Sequence, residues 1–303
     1  MSKISVIGAG TMGNGIAQTF ALHDFHVTLY DINKESLENA RSTIHKNLNR
    51  MLAKELITEL EIKNTTNNLI YSNKFDDLSS SDLVIEAITE NYETKAIVFK
   101  KLESYCSDDC IFASNTSSIS ITKISENLSK KHRVIGMHFM NPVPIMKLVE
   151  VINGSHTSSV VTKKIIDFAK SINKIPLTAN DYPGFISNRI LLPMINEAIE
   201  ALDSGVSDVK SIDGIMRLGM GHPMGPLQLA DLIGLDVCKS ILEIMHTGLN
   251  NEKYRPNKLL IDLVEKGNLG VKSGEGFYNY SNSKKAEVVS KRFSKWLKKE
   301  SKK

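Results

Sequence analysis

A glycine-rich turn near the N-terminus is the first feature of the sequence that could carry chemistry. It lies between the apolar run Lys3–Gly8 and a segment with helical apolar spacing. In such a turn one glycine bends the chain, a second lets the backbone approach a pyrophosphate, and a third lets the helix pack on the strand. The N-terminus of the helix adds unpaired N–H groups that attract phosphate oxygens. We therefore predict a dinucleotide site built on Gly8, Ala9, Gly10, Thr11, Met12 and Gly13.

An aspartate follows the second strand-like run, His26–Tyr30, and lies 18 residues after Gly13. A carboxylate at this position of a strand–turn–helix–strand unit accepts hydrogen bonds from the adenosine ribose and repels a 2′-phosphate. The nearest cation in the sequence is Lys34, and no arginine stands beside Asp31 to bind such a phosphate. Asp31 therefore predicts NAD rather than NADP. The alternative is a tight turn followed by an aspartate that caps a helix.

Three further segments are rich in polar side chains where strands of an α/β domain are predicted to end: 113–118, 136–150 and 183–189. Ligands of open α/β sheets bind at the carboxyl ends of the strands, so these segments are site candidates. A neutral imidazole at His138 suits removal of a hydroxyl proton while a secondary alcohol loses a hydride.

Less specific explanations exist for the same residues. A histidine inside an apolar strand is most often a core residue with satisfied hydrogen bonds, and an Asn-Pro pair is ordinarily only a turn. A Ser/Thr cluster before a helix, such as the one around Ser117, is most often a helix cap. The residue types alone leave these alternatives open.

Six segments, taken in order, resemble the 3-hydroxyacyl-CoA dehydrogenase family, and most of all its bacterial 3-hydroxybutyryl-CoA members. The likeness runs from Lys3 to Tyr280 and comprises GAGTMG, SNTSS, GMHFMNPVPIMKLVEV, PGFISNRI, GHPMGPLQLADLIGLD and KSGEGFYNY. The resemblance implies a Rossmann-type N-terminal domain and a helical C-terminal domain through which the protein forms a homodimer. It also implies an NAD cofactor and a CoA-thioester substrate.

The resemblance assigns roles to individual residues. It implies that His138 is the catalytic base, that Glu150 orients it, and that Ser117 and Asn188 hold the substrate oxygen. Because twelve residues separate His138 from Glu150, only a chain reversal near 141–144 could bring these two side chains together. It further implies contacts around the nicotinamide half of NAD from Glu90, Lys95, Asn115, Ser117, Asn141 and Lys272.

A basic face is predicted on the helical insert at 34–61, where Lys46, Arg50 and Lys54 are spaced four residues apart. The default interpretation of such a face is a solvated surface. The resemblance implies instead that this arm grips the CoA nucleotide through Asn47, Arg50 and Lys54, with Ser117 at the substrate oxygen. Arg50 stands where relatives often have lysine, and a guanidinium can hold a phosphate bidentately.

The predicted fold class is α/β: a Rossmann-type N-terminal domain with a helical-hairpin insert, followed by an all-α C-terminal domain. Strand-like runs occur at 3–8, 26–30, 69–72, 82–87, 110–114, 133–139 and 148–152, with a helical stretch at 92–105. Beyond Gly184 the pattern predicts helices over 186–202, 209–218, 227–245 and 256–266. We place the domains at 1–183 (NAD-binding), 184–282 (helical, for dimerisation and substrate) and 283–303 (a basic tail).

Composition bounds the function further. The 303 residues are 41% hydrophobic and 24% charged, which is typical of a soluble globular protein of two domains. The sequence shows no export signal and no apolar run near the ~20 residues of a membrane helix, so we expect no integral membrane contact. Three cysteines without neighbouring metal ligands indicate a reducing compartment, the cytoplasm, and no metal site.

The net charge of +4 is unevenly distributed. Residues 282–303 carry nine Lys or Arg against two Glu, a net charge of +7, which leaves −3 for the rest of the chain. That distribution argues against a nucleic-acid binder. In this tail Val289, Phe293, Trp296 and Leu297 predict an amphipathic helix that lies on an anionic membrane surface or packs on its own domain. We favour packing, or a tail that serves only solubility, because the apolar stripe is short.

The resemblance implies NAD-dependent oxidation of (S)-3-hydroxybutyryl-CoA to acetoacetyl-CoA, and the reverse reduction, in fatty-acid or butyrate metabolism. One alternative is a related NAD-dependent dehydrogenase of a sugar acid or carnitine, which the basic face counts against because such substrates bring no CoA phosphates. The other alternative is a non-catalytic relative, which the presence of Ser117, His138, Glu150 and Asn188 counts against.

Overall fold

The structure, a computed structural model, describes residues 2–294. The chain divides between Phe185 and Ile186 into two compact units. Each unit has its own apolar core: two clusters of buried side chains in the first unit and one in the second. Within the described residues, no helix is long and apolar enough to span a bilayer.

The first unit is built on an eight-stranded sheet with the order β3-β2-β1-β4-β5-β6-β7-β8. Strands β1 to β6 are parallel, β7 runs antiparallel to β6, and β8 runs parallel to β7. This arrangement confirms the predicted mostly parallel sheet. The strands are β1 (Lys3–Ile7), β2 (His26–Tyr30), β3 (Leu69–Ser72), β4 (Leu83–Glu86), β5 (Ile111–Ser114), β6 (Val134–Phe139), β7 (Leu148–Asn153) and β8 (Ile175–Asn180).

Strand β8 has no counterpart among the predicted strands. It forms the edge of the sheet and keeps both Ile175 and Leu177 more than half exposed. None of its residues is fully buried, and Pro176 interrupts the run. A half-exposed edge strand of this kind carries little of the apolar pattern by which buried strands are found.

Helices cover the sheet of the first unit. They are α1 (Thr11–Leu22), α2 (Lys34–Leu52), α3 (Glu59–Asn67), α4 (Tyr92–Tyr105), α5 (Ile121–Ser125) and α6 (Ser159–Ser171). Helices α2 and α3 confirm the predicted hairpin insert. Leu37, Ala40, Ile44 and Leu48 form the buried stripe of α2, and Thr58 starts α3 with a capping box to Glu61.

The predicted basic face is wrong for one of its three residues. Helix α2 ends at Leu52, and the chain then turns: the Lys54 N–H donates to the Met51 carbonyl at 3.2 Å, and Glu55 has φ +56°. Lys46 and Arg50 therefore lie on the helix, whereas Lys54 lies in the turn that follows it. All three side chains are exposed.

The second unit is helical, which confirms the predicted class of its fold. Its helices are α7 (Ser187–Asp203), α8 (Val209–Gly219), α9 (Pro226–Ile233), α10 (Leu235–Leu249) and α11 (Lys258–Glu265). The single helix predicted over 227–245 is wrong. Gly234 adopts φ +105°, a conformation that ends α9 and lets α10 start in a new direction.

The tail departs from the predicted amphipathic helix. Val288–Val289 form a short strand, β10, that pairs antiparallel with β9 (Tyr278–Asn279), so this unit contains a small ladder beside its helices. Phe293 is buried, with its ring centroid 5.5 Å from that of Phe277. The described part of the tail thus packs on the second unit, while Trp296 and Leu297 lie outside the described residues.

Candidate active site

The glycine-rich turn joins β1 to α1 and depends on glycine at two positions. Gly8 has φ +101°, and a Cβ there would lie 2.6 Å from the Ala87 carbonyl oxygen. A Cβ on Gly13 would lie 1.7 Å from the Gly8 carbonyl oxygen, so the helix could not pack as closely. A Cβ on Gly10 would meet nothing within 4 Å, so the backbone before Thr11 faces open space. The turn fits a pyrophosphate at the N-terminus of α1.

Asp31 ends β2 beside this turn. Its Oδ2 accepts the Ala9 N–H at 2.8 Å, and its Oδ1 accepts the Asn33 N–H at 2.9 Å. Asp31 lines a cavity of about 650 Å³ together with Gly8, Gly10, Thr11, Met12 and apolar side chains that include Ile32 and Ile88. A glycine turn, a carboxylate and an apolar wall around one cavity are the features that bind an adenine dinucleotide.

Lys101 also lines this cavity, which the sequence did not suggest. The residue lies on α4, seventy positions after Asp31, and its Nζ lies 4.0 Å from the centroid of the Phe75 ring. The cation that lines this cavity is therefore not found by looking near Asp31 in the sequence. Lys101 is the residue that could weaken the preference for NAD.

The predicted meeting of His138 and Glu150 depends on a β-hairpin. Strands β6 and β7 are antiparallel, and their register places His138 opposite Glu150. The imidazole Nδ1 lies 2.8 Å from Glu150 Oε2, and both residues are buried. Because a carboxylate only accepts, Nδ1 carries the proton in the neutral ring and Nε2 is left as the acceptor. The chain reversal contains a cis Asn141–Pro142 peptide.

Ser117 approaches the other side of the same imidazole, with Oγ 3.1 Å from His138 Nε2. Its segment follows β5, whose carboxyl end lies at the same sheet edge as those of β1 and β6 because the three strands are parallel. The edge therefore carries the glycine turn, Ser117 and His138 together. Ser117, His138 and Glu150 form a continuous chain of hydrogen bonds.

Glu90 holds the turn that carries Ser117. Its Oε1 accepts the N–H groups of Ser117 and Ser118 at 2.9 and 3.0 Å and the Thr116 hydroxyl at 2.6 Å. Burial raises the pKa of Glu90, but the Lys95 ammonium and the hydrogen bonds from Thr116 and Ser118 outweigh it, so the pKa lies below its ordinary value. Glu90 is thus kept as an anionic acceptor.

A second carboxylate, Glu86, shares the Lys95 ammonium with Glu90. Glu86 ends β4, is fully buried, and its Oε1 lies 2.6 Å from Lys95 Nζ. Lys95 Nζ also lies 3.3 Å from Glu90 Oε2, and the lysine side chain is only 1% exposed. The sequence analysis did not single out Glu86. Its one signal was an acidic residue at the last position of a buried strand.

The remaining predicted residues of the first unit are placed as follows. Asn115 is buried and its Oδ1 accepts the Phe139 N–H at 2.9 Å, which ties the end of β5 to the end of β6. Asn141 is exposed in the β6–β7 reversal. Asn47 donates from Nδ2 to Gln18 Oε1 at 3.3 Å. Asn47, Arg50 and Lys54 thus occupy the hairpin insert rather than the sheet edge.

Two predicted residues belong to the second unit. Asn188 lies in the first turn of α7. Lys272 is exposed, and its Nζ lies 2.6 Å from Asp236 Oδ2. Across residues 2–294, no group of three or more His, Cys, Asp and Glu side chains is arranged to hold a metal ion.

The Ser117–His138–Glu150 chain has the bond pattern of a hydrolase triad, so the backbone around it decides between two chemistries. A hydrolase needs N–H groups aimed at an oxyanion, commonly including that of the nucleophile itself. Here the Ser117 and Ser118 N–H groups already bond the Glu90 carboxylate. A negative charge behind the serine opposes a second one in front of it. The arrangement suits transfer of a proton to or from a bound oxygen.

Comparison with known proteins agrees with this site. Residues 3–182 match the family model "3-hydroxyacyl-CoA dehydrogenase, NAD binding domain", and residues 184–280 match "3-hydroxyacyl-CoA dehydrogenase, C-terminal domain". The chain is 50% identical over 280 residues to a probable 3-hydroxybutyryl-CoA dehydrogenase of Bacillus subtilis, covering 92% of this chain and 98% of the relative. A Deinococcus radiodurans relative of the same description is 48% identical over 278 residues, covering 92% and 100%.

A solved structure is similar as well. The crystal structure of an (S)-3-hydroxybutyryl-CoA dehydrogenase from Ralstonia eutropha is 43% identical, with a TM-score of 0.91, covering 93% of this chain and 100% of that one. The two family matches together span nearly the whole chain up to residue 280. The chain belongs to the 3-hydroxyacyl-CoA dehydrogenase family and is an NAD-dependent oxidoreductase.

Proposed function

We propose that this protein interconverts (S)-3-hydroxybutyryl-CoA and acetoacetyl-CoA with NAD. The observation that carries the proposal is the hydrogen-bonded chain from Ser117 through His138 to Glu150, at the sheet edge that also bears the glycine turn. The names of the relatives supply the substrate class. Oxidation of a hydroxyl group requires a proton acceptor, and His138 Nε2 is an acceptor because Nδ1 donates to Glu150.

The residues divide the work of oxidation. His138 Nε2 takes the proton of the substrate hydroxyl, and Glu150 fixes the ring tautomer and stabilises the imidazolium that results. The Ser117 hydroxyl turns from His138 towards the substrate oxygen and donates to it as the carbonyl forms, with Asn188 proposed as a second donor. NAD, when bound, supplies the acceptor for the hydride that leaves the same carbon.

The cofactor is held by the chain at two places. The turn Gly8–Gly13 holds the pyrophosphate and Asp31 the adenosine ribose, as their geometry supports. We assign the nicotinamide half to Glu90, Asn115, Ser117, Asn141 and Lys272. Lys95 belongs with them indirectly, because its buried ammonium touches Glu86 and Glu90 and so acts through Glu90.

The CoA nucleotide and the oligomeric state are parts of the same proposal. Exposed Arg50 and Lys54, next to Asn47, would bind the phosphates of CoA on the hairpin insert.

Dimerisation through the second unit is supported by exposed apolar side chains on α8: Ile215 is 60% exposed and Leu218 86%. The three cysteines are free and buried, which supports a reducing compartment such as the cytoplasm.

An assay of NADH oxidation tests the proposal. We expect rapid turnover with acetoacetyl-CoA and much slower turnover with free acetoacetate, which lacks the nucleotide that Arg50 and Lys54 would bind. In the other direction, the (S) isomer of 3-hydroxybutyryl-CoA should be oxidised and the (R) isomer should not. Equal rates with acetoacetate would refute the CoA assignment, and no turnover with either would refute a catalytic role.

A further inference from the structure

Glu86 is a buried carboxylate to which neither the sequence nor the proposed mechanism gives a role. Its Oε1 accepts the Lys95 ammonium at 2.6 Å and the Ile88 N–H at 2.7 Å, and its Oε2 accepts the Ser114 hydroxyl at 2.6 Å. The residue has no exposed surface. Burying a carboxylate is unfavourable unless a cation and hydrogen bonds compensate, and here both of its oxygens are engaged.

The contacts of Glu86 lead to the active-site serine. Lys95, on α4, lies between Glu86 and Glu90, and Glu90 in turn accepts the Ser117 N–H at 2.9 Å. Glu86 also bonds Ser114, the last residue of β5, three positions before Ser117. Both ends of the segment 114–117 are therefore anchored, one directly by Glu86 and the other through Lys95 and Glu90.

We propose that Glu86 is a positioning residue of the dehydrogenase site, acting through Lys95 and Glu90 to fix the turn that presents the Ser117 hydroxyl to His138. The inference rests on the proposed function, since it requires Ser117 to act in turnover. Lys95 divides its ammonium between two carboxylates. Without the charge of Glu86 it shifts towards Glu90, which draws Glu90 away from the N–H groups of the turn.

Glu86→Gln tests this proposal, because it keeps the shape of the side chain and removes its charge. At saturating NADH and acetoacetyl-CoA, kcat should fall on the order of 10- to 100-fold, as small misplacements of catalytic groups do. The decisive measurement is the same substitution in a Ser117→Ala background. If Glu86 acts through Ser117, the Glu86→Gln substitution should lower the kcat of the Ser117→Ala protein by less than about 3-fold, because the effects of coupled residues do not add.

Asp213→Asn is the matched control, since it converts a buried carboxylate of the second unit to an amide. Any effect it has on kcat should be equal with and without Ser117. Ser114→Ala is a milder second variant, which removes one hydrogen bond from Glu86 and should show the same coupling at a smaller loss. It keeps the proposal testable if Glu86→Gln does not fold.

The outcomes separate this inference from the proposed function. Losses for Glu86→Gln that are equally large with and without Ser117 would overturn the positioning role and leave the dehydrogenase assignment intact. So would an unchanged kcat in Glu86→Gln. A wild-type protein that does not turn over acetoacetyl-CoA would instead refute the proposed function, and the positioning role with it.

Discussion

The two units bury carboxylates in opposite ways. In the first unit each buried carboxylate has a basic partner: Glu150 lies 2.8 Å from the His138 ring, and Glu86 lies 2.6 Å from the Lys95 ammonium. In the second unit Asp231, which is completely buried, accepts the N–H groups of Phe277 and Tyr278 and the Tyr280 hydroxyl at 2.9 to 3.0 Å. Neutral donors thus take the place that the basic side chains of His138 and Lys95 hold in the first unit.

The pKa values of one carboxylate from each unit, Glu90 and Asp231, show the effect of these different partners. Glu90 shares the Lys95 ammonium with Glu86 and has a side chain that is 40% exposed. Desolvation raises its pKa, but Lys95 and hydrogen bonds bring the pKa below its ordinary value. For Asp231 burial prevails over the hydrogen bonds, and the pKa rises to about 7; that of its neighbour Asp213 is raised as well, again mainly by burial. A nearby cation thus lowers the pKa of a carboxylate, whereas the neutral donors around Asp231 do not outweigh its burial.

The second cluster instead shapes the backbone. Asp213 accepts the N–H groups of Leu227 and Gln228, at the start of α9. Asp231 fixes the segment around Tyr278 so closely that a Cβ on Gly276 would lie 1.9 Å from its Oδ1. The comparison therefore suggests that the paired carboxylates serve chemistry and the unpaired ones serve structure. The predictions below test that division.

The largest effect is expected when the His138–Glu150 pair loses His138, which exchanges a proton with the substrate. His138→Gln removes the proton acceptor, so kcat should fall by about 10²- to 10⁴-fold, the usual worth of a positioned acid or base. NADH binding, measured by fluorescence titration, should be unchanged because the glycine turn and Asp31 are intact. Near-normal turnover would contradict the mechanism.

Glu150→Gln should also lower kcat, because the ring loses the carboxylate that orients it. The double variant should be little worse than His138→Gln alone, since orienting an absent base has no effect. Fully additive losses would mean that Glu150 supports only the fold, and would place it with the structural carboxylates of the second unit.

The sequence predicts one of the two carboxylate pairs of the first unit and misses the other, for a physical reason. Gly8–Gly13 and Asp31 form a local pattern, and His138 and Glu150 face each other because one hairpin aligns neighbouring strands. Glu86 and Lys95 meet only through the packing of α4 on the sheet, and no spacing rule joins them. The family resemblance implied a role for Lys95 but none for Glu86, the buried carboxylate that binds it.

Helix boundaries failed at positions where backbone conformation overrides apolar spacing. Gly234 sits inside a run whose apolar pattern continues unbroken from 227 to 245, yet its φ of +105° separates two helices. The basic spacing of Lys46, Arg50 and Lys54 likewise continues past the end of α2 at Leu52. Period alone does not show where a helix stops.

Cofactor choice is the next largest expected effect, and it concerns a carboxylate that meets a ligand. We expect kcat/KM for NADH to exceed that for NADPH by at least about 10-fold, which corresponds to about 1.4 kcal/mol. Asp31 would repel a 2′-phosphate, and Asp31→Ala should narrow the ratio. The KM for acetoacetyl-CoA serves as the control and should not change. Equal use of NADPH would mean that Lys101 in the same cavity receives the phosphate.

We expect the raised pKa of Asp231 to make the free energy of unfolding depend on pH. Its folded pKa of about 7 exceeds the ordinary 3.8, so the folded state binds the proton more tightly and the stabilisation is greatest below the lower value. As the pH rises from about 4 to 7, this group should lower the free energy of unfolding by an amount on the order of 4 kcal/mol. Thermal melts should show that wild type loses its advantage over Asp231→Asn between pH 5 and pH 8.

Asp262→Asn is the matched control for this experiment. Asp262 is a carboxylate of the same unit whose pKa is lowered by hydrogen bonds from Lys266 and Arg292. Its contribution should be lost only as the pH falls into the acid range, so its difference from wild type should stay flat between pH 5 and pH 8. A flat profile for Asp231→Asn as well would remove the contrast between the two clusters.

The smallest effects should come from charges that are not buried at all. Arg50 and Lys54 are exposed, so water screens them, and each alanine substitution should raise the KM for acetoacetyl-CoA about 2- to 5-fold, the range of exposed ion pairs. Turnover at saturation should not change, because these contacts act equally on substrate and transition state. Lys63→Ala, which removes an exposed cation from α3 of the same hairpin, should leave KM unaltered.

Salt distinguishes this surface from the paired site. Raising the ionic strength from about 0.1 to 1 M shortens the screening length from about 10 to 3 Å, so the differences in KM should vanish. The loss in His138→Gln should persist, since its partners lie within the protein. If Lys63→Ala matches Arg50→Ala, the hairpin attracts CoA only by its overall charge, and no phosphate site exists at Arg50. If KM stays unchanged at low salt, the nucleotide of CoA lies elsewhere on the molecule.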